Sequence, residues 1–274
     1  MGQLLSRQNP RVKYLRRLEN RRFREQEGVF LVEGIRFVEE AVNSSWPVEM
    51  IFYSKKINEN IRGSAVLEGA ASKGIALAEV DETLIKELTL TNTPQGIIAV
   101  VKQRKTSLED IRPGDKPALL VLVDGVQDPG NLGTIVRTAH AAGVDGVILL
   151  KGTVDVFNPK ALRATMGSIF HVPVIQGDLT ANEVMPYFDR RGVKTVAGDI
   201  RSNKTVYESD LTVPCAIVVG SEASGVSDEV IGMVSERVLI PMPGLAESLN
   251  VAISTVILLY EAVRQRYMKG DIPP

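Results

Sequence analysis

The sequence predicts an α/β protein with a small α/β domain ahead of a larger one built on a parallel sheet. Three observations carry this. Short apolar runs alternate with helix-length amphipathic segments along the 274 residues. Pro117-Ala-Leu-Leu-Val-Leu-Val123 is apolar without alternation, as a strand covered on both faces must be. Three later segments, 124–137, 218–225 and 240–251, place glycine and polar residues where strands should end. In open α/β sheets ligands bind at the carboxyl ends of strands, where small residues let backbone approach them.

Taken in order, Pro10 to Gln26 is expected as one basic helix, followed by Gly28 and a strand at Val29–Glu33. Ile35 to Asn43 carries Ile35, Val38, Ala41 and Val42 at helical spacing. Val48–Tyr53 reads as strand, Ile57–Lys73 as helix and Ile75–Val80 as strand, and Asp81 caps a short helix to Leu88. Thr93-Pro-Gln-Gly96 is a turn before the strand Ile97–Val101. The polar stretch Lys105–Lys116, with Pro113-Gly114, is expected as a linker between a domain at 1–104 and one at 117–274.

In the second domain, helix is expected over Thr134–Ala142 and strand over Val147–Leu150. Asn158-Pro159 should start a helix reaching Phe170, and Val172–Ile175 a strand. Thr180-Ala-Asn-Glu183 is a capping box for the next helix. Strands at Lys194–Ala197, Ala216–Val219 and Val238–Ile240 follow, then a long helix over Ser248–Tyr267.

Composition narrows the function. Hydrophobic and charged contents of 44% and 24% are those of a globular chain, which excludes a disordered one. The single cysteine, Cys215, lies in an apolar run, so no disulfide framework is possible within the chain. No apolar stretch approaches the ~20 residues that span a bilayer, and the basic amino terminus lacks an apolar signal core, so a cytoplasmic location is expected. Net charge is −1, but Arg7, Arg11, Lys13, Arg16, Arg17, Arg21 and Arg22 are opposed only by Glu19. On one helix they form a positive rod suited to RNA phosphates; a solvated helix face is the alternative.

The strand-end segments fit no common nucleotide motif. Gly130-Asn-Leu-Gly133 lacks the G-x-G-x-x-G spacing and the acidic residue of a dinucleotide site, and no P-loop occurs. His140 and His171 have no second ligand at metal spacing, so no metal is expected, and a Ser-His-Asp site lacks a nucleophile elbow.

In order and spacing, however, the three segments resemble the motifs of the SpoU (TrmH-like) branch of SPOUT RNA methyltransferases. The matching residues are Asn131-Leu-Gly-Thr-Ile-Val-Arg-Thr-Ala139, Gly220-Ser-Glu-Ala-Ser-Gly225, and Ile240-Pro-Met242 with Ser248-Leu-Asn-Val-Ala252. Asn158–Phe170 also looks like a family segment, and Phe30–Gly34 with Thr93–Ile97 resembles the small RNA-binding domain of such enzymes. The resemblance implies methyl transfer from S-adenosyl-L-methionine to a ribose 2′-hydroxyl of structured RNA, ribosomal or transfer. It also implies a homodimer and a carboxyl-terminal trefoil knot. A non-catalytic RNA-binding protein that keeps the fold is the alternative. Carried onto this chain, the resemblance assigns cofactor contacts to Gly198, Gly220, Ile240, Met242 and Leu249. It makes Arg137 the central catalytic residue, either as base or as electrostatic stabiliser, reaching the site from the partner subunit. Asn131, Glu222, Ser248 and Asn250 are the remaining polar candidates, with Ser248 also a candidate helix cap and Glu222 a candidate scaffold.

Overall fold

Asn9 and Asn20 start the first two helices. The Asn9 side chain accepts from the Arg11 N–H at 2.9 Å and begins α1 (Pro10–Arg17); that of Asn20 accepts from the Phe23 N–H at 3.1 Å and begins α2 (Arg21–Glu27). The expected single basic helix is therefore two. The break is held by buried Arg24, which donates to the carbonyls of Leu18 at 3.0 Å and Glu19 at 2.9 Å. An unbroken helix would have satisfied those carbonyls internally.

The computed structural model describes residues 5–89 and 93–271, and its chain contacts fall into two units. The first runs to Lys105 and includes Phe157–Phe170. It contains β1 (Val29–Glu33), α3 (Ile35–Asn43), β2 (Val48–Tyr53), α4 (Ile61–Ser72), β3 (Ala76–Glu79), α5 (Glu82–Leu88) and β4 (Ile97–Lys102). Its sheet has the order β1-β4-β2-β3, with β4 antiparallel to both neighbours. Helix α4 starts later than expected because Asn60 caps it, accepting from the Gly63 N–H at 3.0 Å after a 3₁₀ turn at Lys55–Glu59.

The segment drawn from sequence into the second domain packs instead with the first unit. Phe30 lies 5.0 Å from Phe157 and 6.1 Å from Phe170, and Trp46 lies 5.6 Å from Phe170, ring centroid to centroid. Clustered rings of this kind bury large apolar area that periodicity cannot assign to a domain. The helix expected to reach Phe170 ends at Thr165, because Met166 (φ 50°) turns left-handed.

The second unit holds β5 (Leu119–Asp124), α6 (Pro129–Ala141), β6 (Gly146–Leu149), β7 (Val174–Gln176), α8 (Ala181–Arg190), β8 (Lys194–Gly198), β9 (Cys215–Gly220), α9 (Asp228–Ile231), β10 (Glu236–Val238) and α10 (Val251–Lys269), with α7 (Pro159–Thr165) in the first unit. Its sheet order is β10-β8-β9-β5-β6-β7, and every pairing is parallel. All six carboxyl ends thus lie on one edge. Within the stretch expected as linker, Ile111 is buried in this unit's core and Leu108 packs against it. Among the described residues no helix is long and apolar enough to cross a membrane.

Two helix starts differ from expectation. Asp128 caps α6, accepting from the Asn131 N–H at 2.9 Å, and Pro129 opens it, so the glycine-rich segment is the first helical turn rather than a loop. Asn250, not Ser248, caps α10, accepting from the N–H groups of Ala252 (2.9 Å) and Ile253 (3.3 Å). At the other end of α10, buried Arg266 donates to the carbonyls of Leu211, Ala118 and Val213 at 2.9–3.0 Å.

The edge pair β8–β10 is locked by a carboxylate. Glu236 accepts from Ser209 Oγ at 2.6 Å and pairs with Lys194 and Lys204. Burial opposes its ionisation, but hydrogen bonds from Lys194, Lys204 and Ser209 prevail and lower its pKa to about 2 from 4.5. A depressed carboxyl stabilises the fold above its unfolded pKa, and the contribution disappears as pH falls through the folded value. Glu236→Gln should therefore lower unfolding stability at pH 7 by up to about 3 kcal/mol. In denaturant titrations the difference from wild type should hold above pH 4.5 and shrink steadily toward pH 2.

Candidate active site

The ends of β8, β9 and β10 open on a cavity of about 430 Å³, within the ~300–1,000 Å³ range of small-molecule sites. Gly198, Gly220, Ile240, Met242 and Leu249 all line it, as do Glu222 and Ser248. Gly220 is required by its surroundings. A Cβ there would stand 2.0 Å from the Gly225 carbonyl carbon and the Val226 nitrogen. That contact arises because Ser221 and Gly225 exchange two backbone hydrogen bonds of 2.9 Å, folding residues 221–225 back over the strand end. A Cβ on Gly198 would come within 3.1 Å of Leu258. The cavity wall is thus backbone at β8 and β9, with apolar faces from Ile240, Met242 and Leu258.

Beside the cavity, one hydrogen-bond chain joins the three strand-end segments. Asn250 Nδ2 donates to Asn131 Oδ1 at 2.9 Å, and Asn131 Nδ2 donates to Glu222 Oε1 at 2.7 Å. Glu222 also accepts the N–H groups of Gln127 at 3.1 Å and Asp128 at 3.2 Å. Burial acts to raise the Glu222 carboxyl, but these donors outweigh it and hold its pKa below the usual range. A second tie runs from the Ser227 N–H to Asp124 Oδ2 at 2.7 Å.

The structure therefore brings Asn131, Glu222 and Asn250 together and sets Ser248, exposed, on the cavity rim. Arg137 stands apart. Helix α6 buries Ile135, Val136, Thr138 and Ala139, and Arg137 projects from the other face, exposed and without a hydrogen bond or ion pair among the described residues.

Asp199 escaped the sequence reading. It lines the cavity directly after Gly198, its side chain 5% exposed. Oδ1 accepts from the N–H and Nε of Arg201 at 2.9 and 3.0 Å. Burial opposes its ionisation, yet the Arg201 hydrogen bonds and the Arg201 and Arg237 charges keep its pKa low. Its one sequence signal was an acid immediately after a strand-end glycine.

The basic residues of the first unit are divided by their neighbours. Arg7 and Arg16 both pair with Glu87, Arg21 pairs with Glu25 at 2.8 Å, and Arg17 stacks 3.9 Å over the Phe23 ring. Arg11, Lys13 and Arg22 are exposed and carry no ion pair among the described residues. The rod expected from sequence is thus partly neutralised.

Comparison with known proteins decides the family. A sequence model described as the SpoU rRNA methylase family matches residues 118–260. The chain belongs to the SpoU rRNA methylase family. A second model, an MRM3-like substrate binding domain, matches residues 9–99. The 23S rRNA (guanosine(2553)-2′-O)-methyltransferase RlmP of Bacillus subtilis is 36% identical over 263 residues, covering 95% of this chain and 98% of that protein. The 23S rRNA (uridine(2479)-2′-O)-methyltransferase of Streptomyces viridochromogenes is 35% identical, covering 91% and 87%. A crystal structure of AdoMet-bound rRNA methyltransferase from Sinorhizobium meliloti superposes with a TM-score of 0.84 at 33% identity, covering 95% of this chain and 97% of that one.

S-adenosylmethionine fits this cavity in volume, in its two backbone walls and in its apolar faces. Gly220→Ala should consequently abolish S-adenosylmethionine binding in calorimetric titration, since the added methyl forces the 221–225 turn off the strand end. Circular dichroism checks that the remaining fold persists.

Proposed function

We infer that this chain is an S-adenosylmethionine-dependent RNA 2′-O-ribose methyltransferase acting on ribosomal RNA. The observation that carries the reading is the glycine-walled cavity joined through Glu222, Asn131 and Asn250 to all three motif segments. The rRNA 2′-O-methyltransferases among its relatives, which match over nearly the whole chain, support the substrate.

When bound, S-adenosylmethionine supplies an electrophilic methyl group. Gly198, Gly220, Ile240, Met242 and Leu249 would hold it, the glycines through main-chain hydrogen bonds and the others through apolar contact. Asn131 and Asn250 orient the ribose, and Glu222 fixes the Asn131 amide so that its orientation is not free to invert. Ser248 lies on the rim where the ribose would enter. Positioning of this kind supplies up to ~7–11 kcal/mol of a barrier.

Arg137 acts as a phosphate anchor and electrostatic stabiliser of alkoxide character at the 2′-oxygen as the hydroxyl proton passes to solvent, because guanidinium does not give up its proton to serve as a base. Its position, exposed and without an ion pair or hydrogen bond among the described residues, suits service in a partner's site. The protein on this reading is a homodimer, and α10 supports it with Ile253, Tyr260 and Tyr267 exposed at seven-residue spacing. The reading includes a trefoil knot, consistent with the last strand, β10, returning to the far side of β8 after β9 is laid between β8 and β5. The cytoplasm, where bacterial ribosomes are assembled, is the proposed location.

Residues 1–104, joined in their unit by 157–170, serve as the RNA substrate-binding domain, and the remainder of 117–274 is catalytic. The Arg11→Ala, Lys13→Ala, Arg22→Ala triple variant should reduce the slope of log affinity against log salt by about two to three, at ~0.7–0.9 per phosphate contact. S-adenosylmethionine affinity should be unchanged, and an unaltered slope would return these residues to a solvated face. Arg137→Lys should cut the transfer rate at least ~100-fold with cofactor affinity intact, because the fork geometry is lost while the charge remains. Full activity in that variant would remove Arg137 from the mechanism.

A further inference from the structure

The first unit has a cavity of its own, of about 330 Å³. Strands β1 and β2 both run antiparallel to β4, so their carboxyl ends and the start of β4 meet at one sheet edge. The cavity opens at that edge. Ile35, Ile57, Ile85 and Pro94 give it apolar walls, and Ser54 and Gln95 give it polar groups. Its corner is built by glycines: Gly34 (φ 95°) follows β1 and Gly96 (φ 75°) precedes β4, conformations disfavoured for other residues. A Cβ at Gly34 would stand 2.9 Å from Gln95 Oε1, and one at Gly96 2.7 Å from Ser54 Oγ.

Ser54 is the unexplained group. It is 1% exposed, and its Oγ has no hydrogen-bond partner. A buried hydroxyl left without a partner costs about 1–3 kcal/mol, so its place in a cavity wall points to a donor or acceptor supplied from outside. Gln95 is already oriented, its Oε1 accepting from the Ile35 N–H at 2.8 Å, which turns its amide nitrogen to other use.

Charge selects the class of ligand. Lys56 and Lys86 are matched by Glu59 and Glu82, with Glu82 paired to Lys86 at 2.8 Å and to Lys56 at 3.8 Å. The lining is neutral overall, which disfavours a phosphate or carboxylate. Branched apolar walls with a hydroxyl and an amide on one side suit a flat, neutral heterocycle with a hydrogen-bonding edge. We propose that this cavity takes a single unstacked base of the RNA substrate, making it a specificity pocket of the first unit, distinct from the methyl-transfer cavity of the second. The assignment rests on the RNA methyltransferase reading above. Protein contacts to unpaired, splayed bases are the usual source of sequence preference in RNA recognition.

The test uses the full-length protein and large-subunit ribosomal RNA transcribed in vitro. Transcript substituted with 4-thiouridine or 6-thioguanosine is irradiated on the protein, and the crosslinked peptides are mapped by mass spectrometry. Crosslinks within residues 54–60 and 94–97 are expected. Ser54→Ala, a small change that preserves packing, should raise KM for unsubstituted transcript about fivefold, with kcat and S-adenosylmethionine affinity unchanged. Crosslinks confined to other surfaces, or an unchanged KM, overturn the pocket. Absence of methyl transfer by wild type overturns the enzymatic reading instead, and the crosslink map still decides the pocket.

Discussion

The carboxylate of Glu222 is the constraint on which the catalytic half depends. It reaches from the turn after β9 to the first turn of α6, and through Asn131 to the cap of α10. Without it, three segments far apart in sequence would share an edge of the sheet but not a geometry. Burying part of a carboxylate is unfavourable, and the three donors offset that cost while fixing which way the Asn131 amide faces. The same arrangement sets the height at which α6 leaves the sheet, and hence where Arg137 emerges two turns later.

The all-parallel sheet explains why the bridge is possible. Parallel pairing places every strand's carboxyl end on one edge, and backbone groups there are not consumed by hairpins. Gly220 lets residues 221–225 fold flat over the end of β9, which delivers Glu222 to α6 and leaves a cavity on the other side. Cofactor pocket and polar bridge are thus two faces of a single turn. At the opposite, amino-terminal ends of the strands Glu236 of β10 pairs with Lys194, holding the outer strand against β8.

Much of this was legible in the sequence, because it depends on local rules. The unbroken apolar run before Asp124 predicted a doubly covered strand, and the strand-end glycines located the cavity whose lining includes all five expected cofactor residues. What stayed hidden depends on distant partners. The break at Asn20 is held by Arg24 reaching back to two carbonyls. Asn250 rather than Ser248 became the cap because Asn131 also holds it. The packing of Phe157 and Phe170 on Phe30 has no periodic signature, and ion pairs with Glu87 could not be read from a helix wheel. Asp199 matters only because the fold buries it beside the cavity.

Methyl transfer to in-vitro-transcribed large-subunit ribosomal RNA by wild type and by Asn131→Asp tests the Glu222 bridge most directly. That isosteric change removes the donor to Glu222 and sets two carboxylates face to face at a contact of 2.7 Å. With nucleoside products identified by mass spectrometry, wild type should yield a 2′-O-methyl nucleoside, and the variant should form it at least ~100-fold more slowly, a barrier increase of about 3 kcal/mol. A methylated base in place of a methylated ribose, or an undiminished rate in the variant, would contradict the account.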